Sequence, residues 1–173
     1  MLFRSWSEEL EVLQAVTPHE GIAPLLEVLQ VGRHEVLVQG VAPGEDLGQR
    51  LARDGRVPAA EARRIAKAAA RAVAHLHARR VVWLDVKPEN ILDDGVTTTL
   101  VDFGMARRVG THGSVTSLLS TAAYVEPLMA RTFSGCASVD VFQLGLLLVE
   151  LVTGRHAFAA VPVAHGRSEE HTS

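Results

Sequence analysis

The stretch "WLDVKPENIL", residues 83–92, decides how this chain is read. It sets an Asp, a Lys and an Asn at fixed short spacing ahead of two large aliphatics. The chain has only two lysines, Lys67 and Lys87, and one of them stands here between Asp85 and Glu89. A solvated surface turn accounts for these polar residues taken alone. It does not account for "VDFGMAR", residues 101–107, whose Asp follows Asn90 by twelve positions.

The 173 residues suffice for one domain with a real core, and the net charge of −3 is near balance. No basic stripe of the kind that marks a nucleic-acid surface is expected. A single cysteine, Cys136, excludes an internal disulfide, so a reducing cytoplasm is the expected setting. The start, "MLFRSWSEEL", lacks the pattern of a signal peptide. The longest apolar run, "VFQLGLLLVELV", is too short and too interrupted by Gln143 and Glu150 to span a bilayer. Arg far exceeds Lys, and Ala and Val abound, as in proteins of GC-rich bacterial genomes.

Periodicity places a helix over "SEELEVLQAV" with Ser7 as N-cap and Leu10, Leu13 and Val16 on one stripe. "TPHEG" ends it. "IAPLLEVLQVGRHEVLVQG" reads as a hairpin about Gly32-Arg33, and "VAPGED" as a linker. A short helix is predicted over "EDLGQRLAR". A long one is predicted over "VPAAEARRIAKAAARAVAHLHARR", with Pro58 near its first turn and Ile65, Ala69, Val73 and Leu76 buried. "GVTTTLVDFG" carries another hairpin strand. "SVDVFQLGLLLVELVTG" is apolar nearly all round, which predicts a central buried helix closed by Gly154.

Phosphoryl transfer needs a carboxylate near the acceptor hydroxyl, a cation near the moving group and oxygen ligands for Mg²⁺. Asp85 suits the first role and Lys87 the second, while Asn90 and Asp102 offer hard oxygen ligands. Phe103 is expected to pack inward and Gly104 to let the backbone turn.

On these motifs the chain resembles the eukaryotic-type Ser/Thr protein kinases, including those of bacteria. "LDVKPENIL" is similar to their catalytic loop, "VDFGMAR" to their metal-binding loop, "STAAYVEP" to the end of their activation segment, and "SVDVFQLGLLLVELVTGRHAF" to the helix that follows. "PHEGIAPLLEVL" and "LVQGVAPGEDL" resemble the connection after their regulatory helix and their hinge. The resemblance covers about residues 3 to 158. It implies an α+β, two-lobed fold, present as a partial N-lobe over 1–42 and most of a helical C-lobe over 43–160, with a tail over 161–173. It implies ATP and Mg²⁺ as cofactors and a protein with Ser or Thr acceptors as substrate. Glu9 takes the place of the helix Glu that pairs with the ATP-anchoring Lys, with Glu8 or Glu11 next in line. Backbone groups of Gly40, Val41 and Ala42 would meet the adenine behind a gatekeeper at Gln39, with Leu92 beneath the base. Thr121 matches the Thr that contacts the catalytic Asp and Lys, and Asp140 the Asp that braces the catalytic-loop backbone. Trp83, where the family has His or Tyr, is expected to be a packed spine residue. His75, His77 and Cys136 are expected to be structural. Thr111, Ser114, Thr116, Ser117 and Ser120 are candidate phosphorylation sites.

Several positions depart from the family. Leu84 replaces the Arg before the catalytic Asp, which deprives a phosphorylated loop of its usual partner unless Arg107 or Arg108 serves. Leu128 stands where a Glu would anchor the activation segment. No Lys precedes Lys67, and no glycine-rich loop precedes the first helix, so this chain by itself is expected to transfer phosphate poorly. The last seven residues, "RSEEHTS", are what a common sequencing-adapter DNA encodes in one frame, and 167–173 are set aside from fold reasoning. Two alternatives remain open on the sequence: a pseudokinase or regulatory binding module, and an antibiotic-type small-molecule phosphotransferase.

Overall fold

The computed structural model describes residues 6–32, 34–109 and 137–156. Thr121 and the "STAAYVEP" segment, Leu128, the loop hydroxyls from Thr111 to Ser120, Cys136 and the 161–173 tail lie outside the described residues.

Helix α1 (Trp6–Val16) leads into a hairpin of β1 (Leu25–Val31) and β2 (His34–Gln39). A short strand β3 (Glu45–Asp46) precedes helices α2 (Leu47–Asp54) and α3 (Ala59–Ala78). Then come β4 (Val81–Val82), a 3₁₀ turn at Pro88–Asn90, β5 (Ile91–Asp93), β6 (Thr98–Leu100), β7 (Arg107–Arg108) and helix α4 (Ala137–Thr153). Among the described residues three small antiparallel sheets result, β1-β2, β3-β5-β6 and β4-β7. The α+β class is as expected.

Three expectations are corrected. Helix α1 begins at Trp6, which places Ser7 inside its first turn instead of at the cap. Glu45 and Asp46 do not open a helix. They pair with Asp93 and Leu92, and Asp46 then caps α2 by accepting from Gln49 N at 2.8 Å. Helix α4 is buried on one side only. Val139, Leu146, Leu147 and Leu151 face the core, whereas Val141 is 60% exposed and Leu148, Val149 and Val152 stand open beside it.

Helix α3 is the spine of the core, and its stripe of Ile65, Ala69, Val73 and Leu76 is buried as its spacing predicts. Against it pack Val12, Leu13 and Val16 of α1, Trp83 and Phe103 of the loops, and Leu147 and Leu151 of α4. An ion cluster fixes the β5–β6 hairpin to this spine. Buried Asp93 accepts from Arg64 at 2.6 Å and from the Thr98 hydroxyl at 2.7 Å. Arg50 makes a bidentate pair with Glu61, which holds the Glu61 carboxyl below its usual range. At the hairpin tip Asp94 accepts from Val96 N and Thr97 N, closing the turn with a local side chain.

The end of α4 touches the end of α2 through two glycines. Gly154 has φ +70°, and a Cβ there would stand 1.9 Å from the Gly55 carbonyl oxygen. Gly55 also has positive φ, but a Cβ there would meet open space. Gly154→Ala is therefore expected to cost about 2–3 kcal/mol in urea unfolding. Gly55→Ala is expected to cost only about 1 kcal/mol, for backbone conformation alone.

The "TPHEG" segment is tied to α3 by histidine. His75 Nε2 lies 2.8 Å from the Val16 carbonyl oxygen, which it reaches as a donor. The His19 ring packs 4.1 Å from that of His75, and Arg79 donates to His75 Nδ1 at 3.0 Å. Partial burial, and then the neighbouring His75, push the His19 pKa down, with Glu20 opposing and Arg79 adding to the fall. His19 thus takes its proton more readily unfolded than folded, and the stability it gives is lost as pH falls below about 6.5. Thermal melts between pH 8 and pH 5.5 should show that decline, with His19→Gln flattening part of it.

Candidate active site

The loop between β4 and β5 is shaped by side chains reaching it from α3 and α4. Asp140, fully buried in the first turn of α4, accepts from Trp83 N at 2.9 Å and from Leu84 N at 2.7 Å. It also meets His77 Nε2 of α3 at 2.7 Å. One turn on, Gln143 accepts from Val86 N at 3.3 Å and donates to the Leu84 carbonyl at 3.2 Å. Two α4 side chains therefore hold the backbone on both sides of Asp85. Leu84 adopts φ +68°, a left-handed conformation costly for a bulky residue, and these bonds keep it there.

Within that bracket the predicted side chains meet. Lys87 Nζ donates to both Asp85 oxygens, at 2.9 and 3.1 Å. Asn90 Nδ2 donates to the Asp85 carboxylate at 2.7 Å and to its carbonyl at 3.0 Å. Pro88 starts the 3₁₀ turn that carries Asn90 back over Asp85, its fixed φ and missing N–H suiting a first helical position.

Asp102 arrives by the hairpin. Val101 N donates to the Asn90 carbonyl at 3.0 Å, so the residue before Asp102 is bonded to the other proposed metal ligand. Trp83 Nε1 donates to the Asp102 carbonyl at 2.9 Å, and the Trp83 ring stacks on fully buried Phe103 at 5.8 Å. Asp102 itself is exposed, with φ +61°, and its Oδ1 accepts from Gly104 N at 3.0 Å. The donor set suits Mg²⁺, which takes one or two carboxylates, keeps several waters and binds substrate phosphates. Both amide donor bonds of Asn90 run inward to Asp85, leaving its Oδ1 with no protein donor among the described residues. Asp102 contributes a carboxylate open to solvent.

The remaining candidates sit apart from this network. Gln39 ends β2 half-buried, and Gly40 N donates to the Pro24 carbonyl at 2.8 Å. Val41 is 97% exposed, whereas Ala42 is half-buried. Leu92 lies half-buried in β5, paired with Asp46 and Thr99. Glu9 is half-buried in the first turn of α1. Its neighbour Glu8 takes a long 3.5 Å contact from Arg107, just past the Asp102 loop.

For two residues that shape the site the sequence names no such role: Gln143 reads as an interruption of an apolar run, and His77 only as structural. Gln143 breaks an apolar run, and an amide inside such a helix signals a buried polar partner. His77 falls on the same side of α3 as the buried stripe, one residue beyond Leu76. Its spacing from Asp140 along the chain gives no local hint of their bond.

Comparison with known proteins agrees with this geometry. The family model described as protein kinase domain matches residues 3–171. The chain is 36% identical over 144 residues to the serine/threonine-protein kinase PknL of Mycobacterium tuberculosis, covering 79% of this chain and 36% of that one. It is 32% identical over 162 residues to serine/threonine-protein kinase 36 of Pongo abelii, covering 92% and 12%. It is 33% identical over 156 residues to serine/threonine-protein kinase TIO of Arabidopsis thaliana, covering 89% and 12%. The chain thus spans only 12% to 36% of the length of these relatives. A loop around Asp85 bracketed from α4, a DFG turn bonded to it and a family match over nearly every residue lead to one assignment: this chain belongs to the protein kinase family.

Proposed function

We propose that this domain serves transfer of the γ-phosphoryl group of ATP to Ser or Thr hydroxyls of proteins. The observation that carries the reading is the bonded set Asp85–Lys87–Asn90, joined to the Asp102 loop through the Val101–Asn90 backbone bond. In the step, the acceptor oxygen bonds to the γ-phosphorus and the bond from that phosphorus to the bridging oxygen breaks, its electron pair leaving with ADP. Asp85 orients the hydroxyl and accepts its proton. Lys87, held beside that carboxylate, places positive charge by the moving group. Asn90 and Asp102 would hold Mg²⁺, which when bound neutralises charge on the phosphates. Gly40, Val41 and Ala42 offer backbone groups for the adenine, with Gln39 and Leu92 nearby in the hairpins and Glu9 as the ion-pair Glu. Asp140, Trp83, Phe103 and Gly104 support the loops. Thr121 is assigned to the acceptor side by resemblance alone. The binding-module and small-molecule alternatives are not favoured, since the relatives named above are protein kinases.

Nucleotide binding tests this directly. ADP should raise the melting temperature of the 173-residue chain in the presence of Mg²⁺ and much less in EDTA. Asn90→Ala and Asp102→Ala should each remove the Mg²⁺-dependent part. A shift indifferent to Mg²⁺, or unchanged in both variants, defeats the proposal. Turnover by this chain alone should be slow, because no Lys ahead of Lys67 is available to hold the inner phosphates.

A further inference from the structure

Away from the catalytic loop, α3 forms one wall of an open groove of about 510 Å³. Lys67, Arg64 and Arg71 line it from α3, His19 and Gly21 from the segment after α1, and Thr97 from the β5–β6 turn. The groove is continued along the helix by a second hollow of about 350 Å³ that includes Arg63. Arg64 is committed to buried Asp93. Arg63, Lys67 and Arg71 are exposed, and among the described residues no carboxylate forms an ion pair with any of them. Among the described residues, Glu20 is the one acid lining the groove. In a chain of net charge −3 these three cations stand out as a local excess.

Their spacing defines what fits. Residues 63, 67 and 71 are four apart, so their helix rows repeat at about 6 Å. Side chains on one face of an extended peptide repeat at about 6.6 Å. We propose that this groove docks an acidic segment of a partner protein in extended form, with carboxylates at alternate positions set against Arg63, Lys67 and Arg71. Small Gly21 and Ala68 leave room for a backbone to approach. Single-stranded nucleic acid suits the groove less well, since among the described residues no Phe, Tyr or Trp lines it to stack a base. The groove borders the tip of the hairpin whose other end carries Asn90 and Val101, roughly 10 Å away along the strands. A docked segment therefore leaves the catalytic loop free. The binding chemistry stands by itself, and only its use in presenting a substrate rests on the kinase reading.

The test is fluorescence anisotropy with the whole chain and two short labelled peptides, one bearing Glu and the other Gln at alternate positions. The Glu peptide should bind, more weakly as salt rises from about 20 to 200 mM, and the Gln peptide should not. Lys67→Glu/Arg71→Glu should weaken binding at least about tenfold. Lys67→Gln/Arg71→Gln, less exposed to misfolding, should weaken it in the same direction, with circular dichroism confirming that each variant is folded. Asp85→Asn should bind as wild type does, which separates docking from catalysis. Equal binding of the two peptides, or unchanged affinity in both folded double variants, overturns the proposal. So does an oligothymidylate of equal charge that binds as tightly as the Glu peptide.

Discussion

Asp140→Ala is expected to destabilise the domain by about 3–5 kcal/mol and to release the catalytic loop. The carboxylate is fully buried, and its oxygens take the Trp83 and Leu84 amides and face His77. Truncation leaves two buried N–H groups and an imidazole without their acceptor, and water has no direct way in to replace it. Leu84 would lose one of the bonds that keep it left-handed, so strain and desolvation add. Asp140→Asn retains one acceptor oxygen and should lose roughly half as much. Urea unfolding measures the stability, and Trp83 emission in a Trp6→Phe background reports the loop. A loss under about 1 kcal/mol with unshifted emission means that Asp140 does not brace the loop.

Asp85→Asn should slow phosphoryl transfer by about 10²–10⁴-fold, the usual range for a lost general base. An amide cannot accept the hydroxyl proton, nor attract Lys87 as the carboxylate does at 2.9 Å. The Asn90 side chain keeps an acceptor at that position, so the proposed metal-facing geometry should survive. Transfer is best followed in single turnover with protein in excess, where slow chemistry is resolved. Mg²⁺-dependent ADP stabilisation should remain within a few degrees of wild type. Loss of both together would make Asp85 a structural residue, and loss of neither would remove it from the reaction.

The meeting of Asp85, Lys87 and Asn90 was legible because it spans so little of the chain. Asp85, Lys87 and Asn90 meet within six positions, through a turn that Pro88 announces. The stripe of α3 was equally plain, since burial at Ile65, Ala69, Val73 and Leu76 follows helical period. Long-range choices were not. Glu45 and Asp46 look like the start of a helix, and only their pairing with Leu92 and Asp93 makes them a strand. The apolar face of α4 looked wholly interior, because composition does not say which side finds neighbours. The brackets from His77 and Gln143 were invisible for the same reason: each closes a gap of some sixty residues.

The β5–β6 hairpin divides tolerance to change in length along this segment. Inside Ile91–Asp93 and Thr98–Leu100 a deletion of one residue would rotate every side chain to the opposite face and pull Asn90 and Asp102 out of step. At the tip, Asp94 to Thr97 is a locally closed turn with Val96 86% exposed, where added residues bulge into solvent. Insertions there would reshape one wall of the cationic groove without moving Asn90 or Asp102. On the proposed roles, such a change would alter what the groove docks and leave the residues of phosphoryl transfer in place.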